Sequence, residues 1–117
     1  MRKIANVRRA ESGVARCILH ACADGFYVFP CATLDDGSSI GDNWFESLAD
    51  AEAACLREYG IRAEDWVVID DPLSGCQQDW IAPVRVKGRI EGKPQWGVFE
   101  RLENGTWIEF RTAPQSA

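Results

Sequence analysis

Cys17, His20, Cys22 and Cys31 stand close together in the chain, and thiolates with an imidazole are the ligands zinc prefers. The spacing works against a shared site. In a strand, Cys17 points away from the face that carries His20 and Cys22. Tyr27 and Phe29 fall on that second face and mark it as core, so buried, inert cysteines are the plainer reading. His20 is the only histidine and could activate Cys22 or Cys31 as a nucleophile. A base of that kind needs a third group to hold its tautomer, and the local hairpin offers no acid for it.

Adjacent carboxylates occur at Asp35-Asp36, Glu64-Asp65 and Asp70-Asp71, and could bind a divalent cation or act as acid and base. Neighbours on a strand face opposite ways, and the calcium-loop pattern of alternating acids ending in Glu is absent. Arg85, Lys87, Arg89 and Lys93 beside Trp80 and Trp96 have the composition of a groove where phosphates meet stacking aromatics. An isoelectric point near 4.8 opposes phosphate contacts, and basic residues that guard a sheet edge explain the same row. Neither a metal nor a cofactor is expected.

The charge itself is segregated. Between Asp24 and Asp79 thirteen acids meet only Arg57 and Arg62, a local charge of −11, while the rest of the chain carries +6. Gathered on one face, such charge repels nucleic acid and attracts a basic protein. The loop with Asp35, Asp36 and Asp42 leads to Trp44, and the loop from Asp70 and Asp71 to Asp79 leads to Trp80. An aromatic ringed by polar groups is what an energetic hot spot requires. These eight residues form the expected partner-binding surface.

A chain of 117 residues with 46% hydrophobic content suits one domain, compact from about residue 4 to 110 with a flexible tail over 112–117. Five cysteines, an odd number, argue for free thiols. The basic start lacks the apolar run of a secretory signal and no run is long enough to span a membrane, so a soluble, cytoplasmic protein is expected. Residues 14–22 and 26–31 are rich in strand formers around Asp24-Gly25, which predicts a central hairpin with Cys22 opposite Tyr27. Ser47 as N-cap, Leu48, Ala51, Cys55 and Tyr59 at helical spacing, and Gly60 beyond them predict a helix. Strands are expected at 66–69, 80–89 with Pro83 at an edge, 96–103 and 106–110, the last two joined at Asn104-Gly105. The whole reads as an α+β domain: a mainly antiparallel sheet of about five or six strands with one principal helix packed on it.

The stretch Trp44-Phe45-Glu46-Ser47-Leu48-Ala49-Asp50-Ala51-Glu52, running on to Tyr59-Gly60-Ile61, resembles the strand-to-helix connection of many small bacterial α+β proteins. In size, acidity and lack of catalytic motifs the chain is similar to immunity proteins that neutralise secreted bacterial toxins. The resemblance implies a non-enzymatic inhibitor whose carboxylates take the place of phosphates in a toxin's basic active site. It carries no residue role across. The alternatives are a small Cys/His-dependent enzyme and a nucleic-acid-binding module that uses the basic row 85–93.

Overall fold

The computed structural model describes residues 1–111. The chain forms two compact units, Met1–Asp71 and Pro72–Ala117, where a single domain was expected. The fold class is the α+β one anticipated, with one main helix and eight antiparallel strands, but these divide into sheets of five and three.

In the first unit β1 (Arg2–Asn6), β2 (Arg16–Cys22), β3 (Gly25–Cys31), β4 (Asn43–Phe45) and β5 (Val67–Ile69) take the order β4-β3-β2-β1-β5. The hairpin β2–β3 is interior, as apolar residues on both faces require. Its register is two residues away from the expected one, with Cys22 opposite Gly25 and His20 opposite Tyr27. Ala23 and Asp24 make the turn, and Gly25 belongs to the strand. The reason lies on the neighbouring strand. Gly25 has φ +144, and a Cβ built on it would collide with the Trp44 indole. Glycine is needed under that ring rather than in the turn. A shift of two preserves the faces, so the expected grouping of side chains survives.

One face of this sheet receives α1 (Leu48–Tyr59). Cys17, Leu19 and Val28 from the sheet pack with Ala51 and Cys55 of the helix and with Ile61 just beyond it. The Ser47 hydroxyl accepts a hydrogen bond from the Asp50 amide at 3.1 Å, and the Gly60 amide closes the far end on Leu56. The Cys17 thiol, buried beside Cys55, is held protonated chiefly by its hydrogen bond to that residue and by burial.

The compact part, expected from about residue 4, starts earlier, because Arg2 and Lys3 already belong to β1. Its amphipathic signal is weak, and it is held by pairing with β2 on one side and β5 on the other. Basic residues near the start close on the acids of the middle stretch: Lys3 Nζ on Glu52, Arg8 Nη2 on Asp65 at 2.6 Å, and Arg16 Nη2 near Asp36 at 3.8 Å.

The second unit contains β6 (Val84–Val86), β7 (Val98–Glu103) and β8 (Thr106–Arg111) in the order β6-β7-β8. The strand expected over 80–89 is only three residues long. On one side Pro83 still accepts from the Leu102 N–H at 3.1 Å but has no N–H of its own to extend the ladder, and on the other Arg89 N–H turns back to Val86 O at 3.2 Å. Asn104 (φ 50) and Gly105 (φ 79) form a two-residue turn with both torsions positive. That turn places Glu100 directly opposite Glu109, a clash of like charges. Arg85 Nε donates to Glu100 at 3.1 Å and Lys87 Nζ to Glu109 at 2.7 Å, so the basic strand neutralises the register it borders. The tail expected over 112–117 lies outside the described residues.

Candidate functional site

Each expected surface residue now has a place. Asp35 and Asp36 stand beyond β3, where the buried Arg16 guanidinium donates to the carbonyls of Thr33 and Asp35 at 3.2 and 3.0 Å. Asp70 and Asp71 follow β5, where buried Arg2 Nε donates to the Asp70 carbonyl at 2.7 Å and the Met1 amine pairs with Asp71 at 3.1 Å. On the β1–β2 ladder Arg2 pairs with His20, while Arg16 pairs with Asn6. The two acidic segments therefore leave opposite ends of the sheet and do not meet. A strand rises about 3.3 Å per residue, so Arg16 and His20 alone separate them by roughly 13 Å. The hydrogen bond from the N-terminal amine outweighs the opposing effect of burial and holds the Asp71 carboxyl below its ordinary value.

Asp79 and Trp80 belong to the second unit. Trp80, expected as a surface anchor, is 4% exposed and packs against Phe99 and Phe110, with ring centroids 5.9 and 5.6 Å away. A side chain already buried in its own core is not available to a partner, so Trp80 is no surface anchor. Its burial also removes it from the basic-aromatic row. Within that row Arg85 lies 3.7 Å from the centre of the Trp107 ring besides its bond to Glu100, and Arg89 Nη1 donates to Gln77 at 2.6 Å. Arg85, Lys87 and Arg89 are thus engaged by partners within their own unit.

Trp44 is different. It is 53% exposed on β4, the outermost strand, opposite Tyr27 of β3. Its indole N–H donates to the Asp24 carbonyl at 3.1 Å, and the ring lies over Gly25. Tyr27 O–H donates to the Asp24 carboxylate at 2.8 Å. That hydrogen bond, ahead of burial and the nearby charges of Asp24 and Asp42, raises the Tyr27 phenol above its ordinary value. Two aromatic rings and two carboxylates thus share one edge of the sheet. Among the described residues Asp24 and Asp42 form no ion pair, in contrast to Asp36, Glu52, Asp65 and Asp71. Asp65 shows the other extreme: the Arg8 side-chain bond first, then the Arg62 amide, hold its carboxyl at about 2.

Tyr27 and Asp24 were not among the expected binding residues. The signal was present in the pair Asp24-Gly25 and the tryptophan upstream of Ser47, but their meeting depends on the β3–β4 ladder, which no local pattern announces.

The cysteine chemistry is also located. Cys17 faces the helix, whereas Cys22 Sγ lies 3.4 Å from His20 Nδ1 on the opposite face. Burial, and after it the Asp24 carboxylate, push the Cys22 thiol up, toward the form that is a poor nucleophile. Cys31 is buried with its thiol 3.7 Å from the Phe29 carbonyl. Among the described residues no three His, Cys, Asp or Glu side chains are grouped to hold a metal, and no helix is long and apolar enough to cross a membrane.

No protein-family model, curated protein or solved structure matches this chain.

Proposed function

We propose that the chain is a non-enzymatic acidic protein-binding module that covers a basic surface of its partner, and that the partner is a bacterial toxin bound as an immunity protein binds one. The observation that carries this reading is Trp44, half exposed yet held in place by its bond to Asp24 and its seat over Gly25. A rigid aromatic loses little conformational freedom on binding, and carboxylates around it supply direction through contacts with Arg or Lys. Asp24 and Asp42 occupy that position beside Trp44 and Tyr27.

The test is inhibition of, and binding to, the product of an adjacent toxin-like reading frame. Trp44→Ala is expected to weaken binding roughly thirtyfold or more, the loss typical of a central anchor. The double reversal Asp24→Lys, Asp42→Lys is expected to slow association and remove its salt dependence. Reversal of Asp35, Asp36, Asp70 and Asp71 serves as the contrast and has a smaller expected effect, because those segments lie apart from one another and Asp36 and Asp71 face internal cations. Equal affinity in all of these variants would overturn the reading.

The enzyme alternative draws on the Cys22–His20 contact at 3.4 Å. Rapid, single-site alkylation of Cys22 near neutral pH would favour it. Five slow thiols would favour the binding module.

A further inference from the structure

The order β4-β3-β2-β1-β5 leaves two strands with an open side. On β4 that side is bare: among the described residues Asn43, Trp44 and Phe45 make no backbone hydrogen bond outside the β3–β4 ladder. Asp42, Asn43, Trp44 and Glu46 are all exposed. Unpaired N–H and C=O groups in a row are a template for another strand. Natural edges are commonly guarded by Lys, Pro or a bulge, and Asn43–Phe45 contains no Lys or Pro.

What guards it is charge of one sign. Asp42 stands two residues before Trp44 and Glu46 two after, so an acid flanks the three-residue strand at either end, Glu46 at the bend that leads into α1. If two copies paired antiparallel about Trp44, Asp42 of each would face Glu46 of the other, an arrangement of like charges that opposes self-association. The same arrangement favours a strand with Lys or Arg two residues to either side of its central position. Since both flanks are acidic, either strand direction satisfies the pattern. Trp44 supplies the central contact, its ring already fixed over Gly25.

We propose that β4 is a strand-pairing site that accepts an extended segment of the partner with the pattern basic-x-small or branched-x-basic, which would become a sixth strand beside Asn43–Phe45. The proposal rests on the protein-binding reading above and adds to it the mode of contact and the sequence class of the ligand. Main-chain bonds supply affinity in this mode and the alternating side chains supply selectivity.

The full chain, labelled for amide NMR, is titrated with the capped peptide Thr-Lys-Thr-Val-Thr-Lys-Thr at low salt. Shifts centred on Asn43–Phe45 and the Trp44 indole are expected. Backbone N-methylation of the peptide keeps its side chains but removes main-chain donors, and is expected to weaken binding by about tenfold or more. The Asp42→Lys, Glu46→Lys variant is expected to lose the basic peptide and accept its Glu-for-Lys counterpart. Equal binding of the methylated and unmodified peptides overturns strand pairing. So does the absence of any shift with the basic peptide. Either failure leaves the broader reading standing if Trp44→Ala still weakens the toxin complex, and that reading falls separately if it does not.

Discussion

Trp44 and Trp80 follow similar acidic loops, yet one is half exposed and the other is almost wholly buried. The difference is set by what each ring packs against. Trp80 meets two phenylalanines, Phe99 and Phe110, which β7 and β8 place opposite each other, and the three rings enclose one another. Trp44 meets a glycine. The ring covers Gly25 with one face and leaves the other to solvent, so it gains a fixed position without gaining a core. A tryptophan after an acidic loop is therefore no sign of a surface anchor until the groups its ring packs against are known.

Substitution at the two sites should separate them sharply. Trp80→Ala removes the centre of an aromatic cluster and is expected to cost about 3–5 kcal/mol in denaturant unfolding, with loss of dispersed amide signals from the second unit first. Gly25→Ala tests whether the seat beneath Trp44 matters. The new methyl must displace the indole and occupy a backbone region that alanine rarely adopts, for an expected cost of about 1–3 kcal/mol and a red-shifted, more mobile tryptophan emission. Trp44→Ala should cost the least, under about 1 kcal/mol by the same unfolding measurement, despite its expected large effect on partner binding. If Trp44→Ala destabilised the fold as much as Trp80→Ala, the distinction between anchor and core would collapse.

Local signals were legible in the sequence wherever the cause was local. Ser47, the apolar positions Leu48, Ala51, Cys55 and Tyr59, and Gly60 all act within a few residues of one another, and α1 follows from them. Asn104-Gly105 is equally local, and its two-residue turn carries the cost of opposing Glu100 and Glu109. Arg85 and Lys87 resolve that cost from a neighbouring strand. The hairpin register was missed for a related reason, since Gly25 serves Trp44 and not its own turn. Likewise β1 carries little strand pattern in Arg-Lys-Ile-Ala-Asn and depends on partners at both sides. Of the candidate site, Asp42 and Trp44 could be named from the sequence, whereas Tyr27 and Asp24 join them only through the β3–β4 ladder.

The position of β1 between β2 and β5 has a kinetic meaning. Arg2 bonds to a carbonyl 68 residues later, Arg8 to a carboxylate 57 later and Lys3 to one 49 later. Loop closure over such spans adds little to the equilibrium cost, since each doubling of length costs only about 0.6 kcal/mol, but non-local pairing slows folding. During synthesis the β2–β3 hairpin can form early, with β1 beside it, while one edge of β1 and its cations wait for residues that do not yet exist. The first unit is completed only when β5 arrives, so its earliest-made strand is among the last to be fully enclosed.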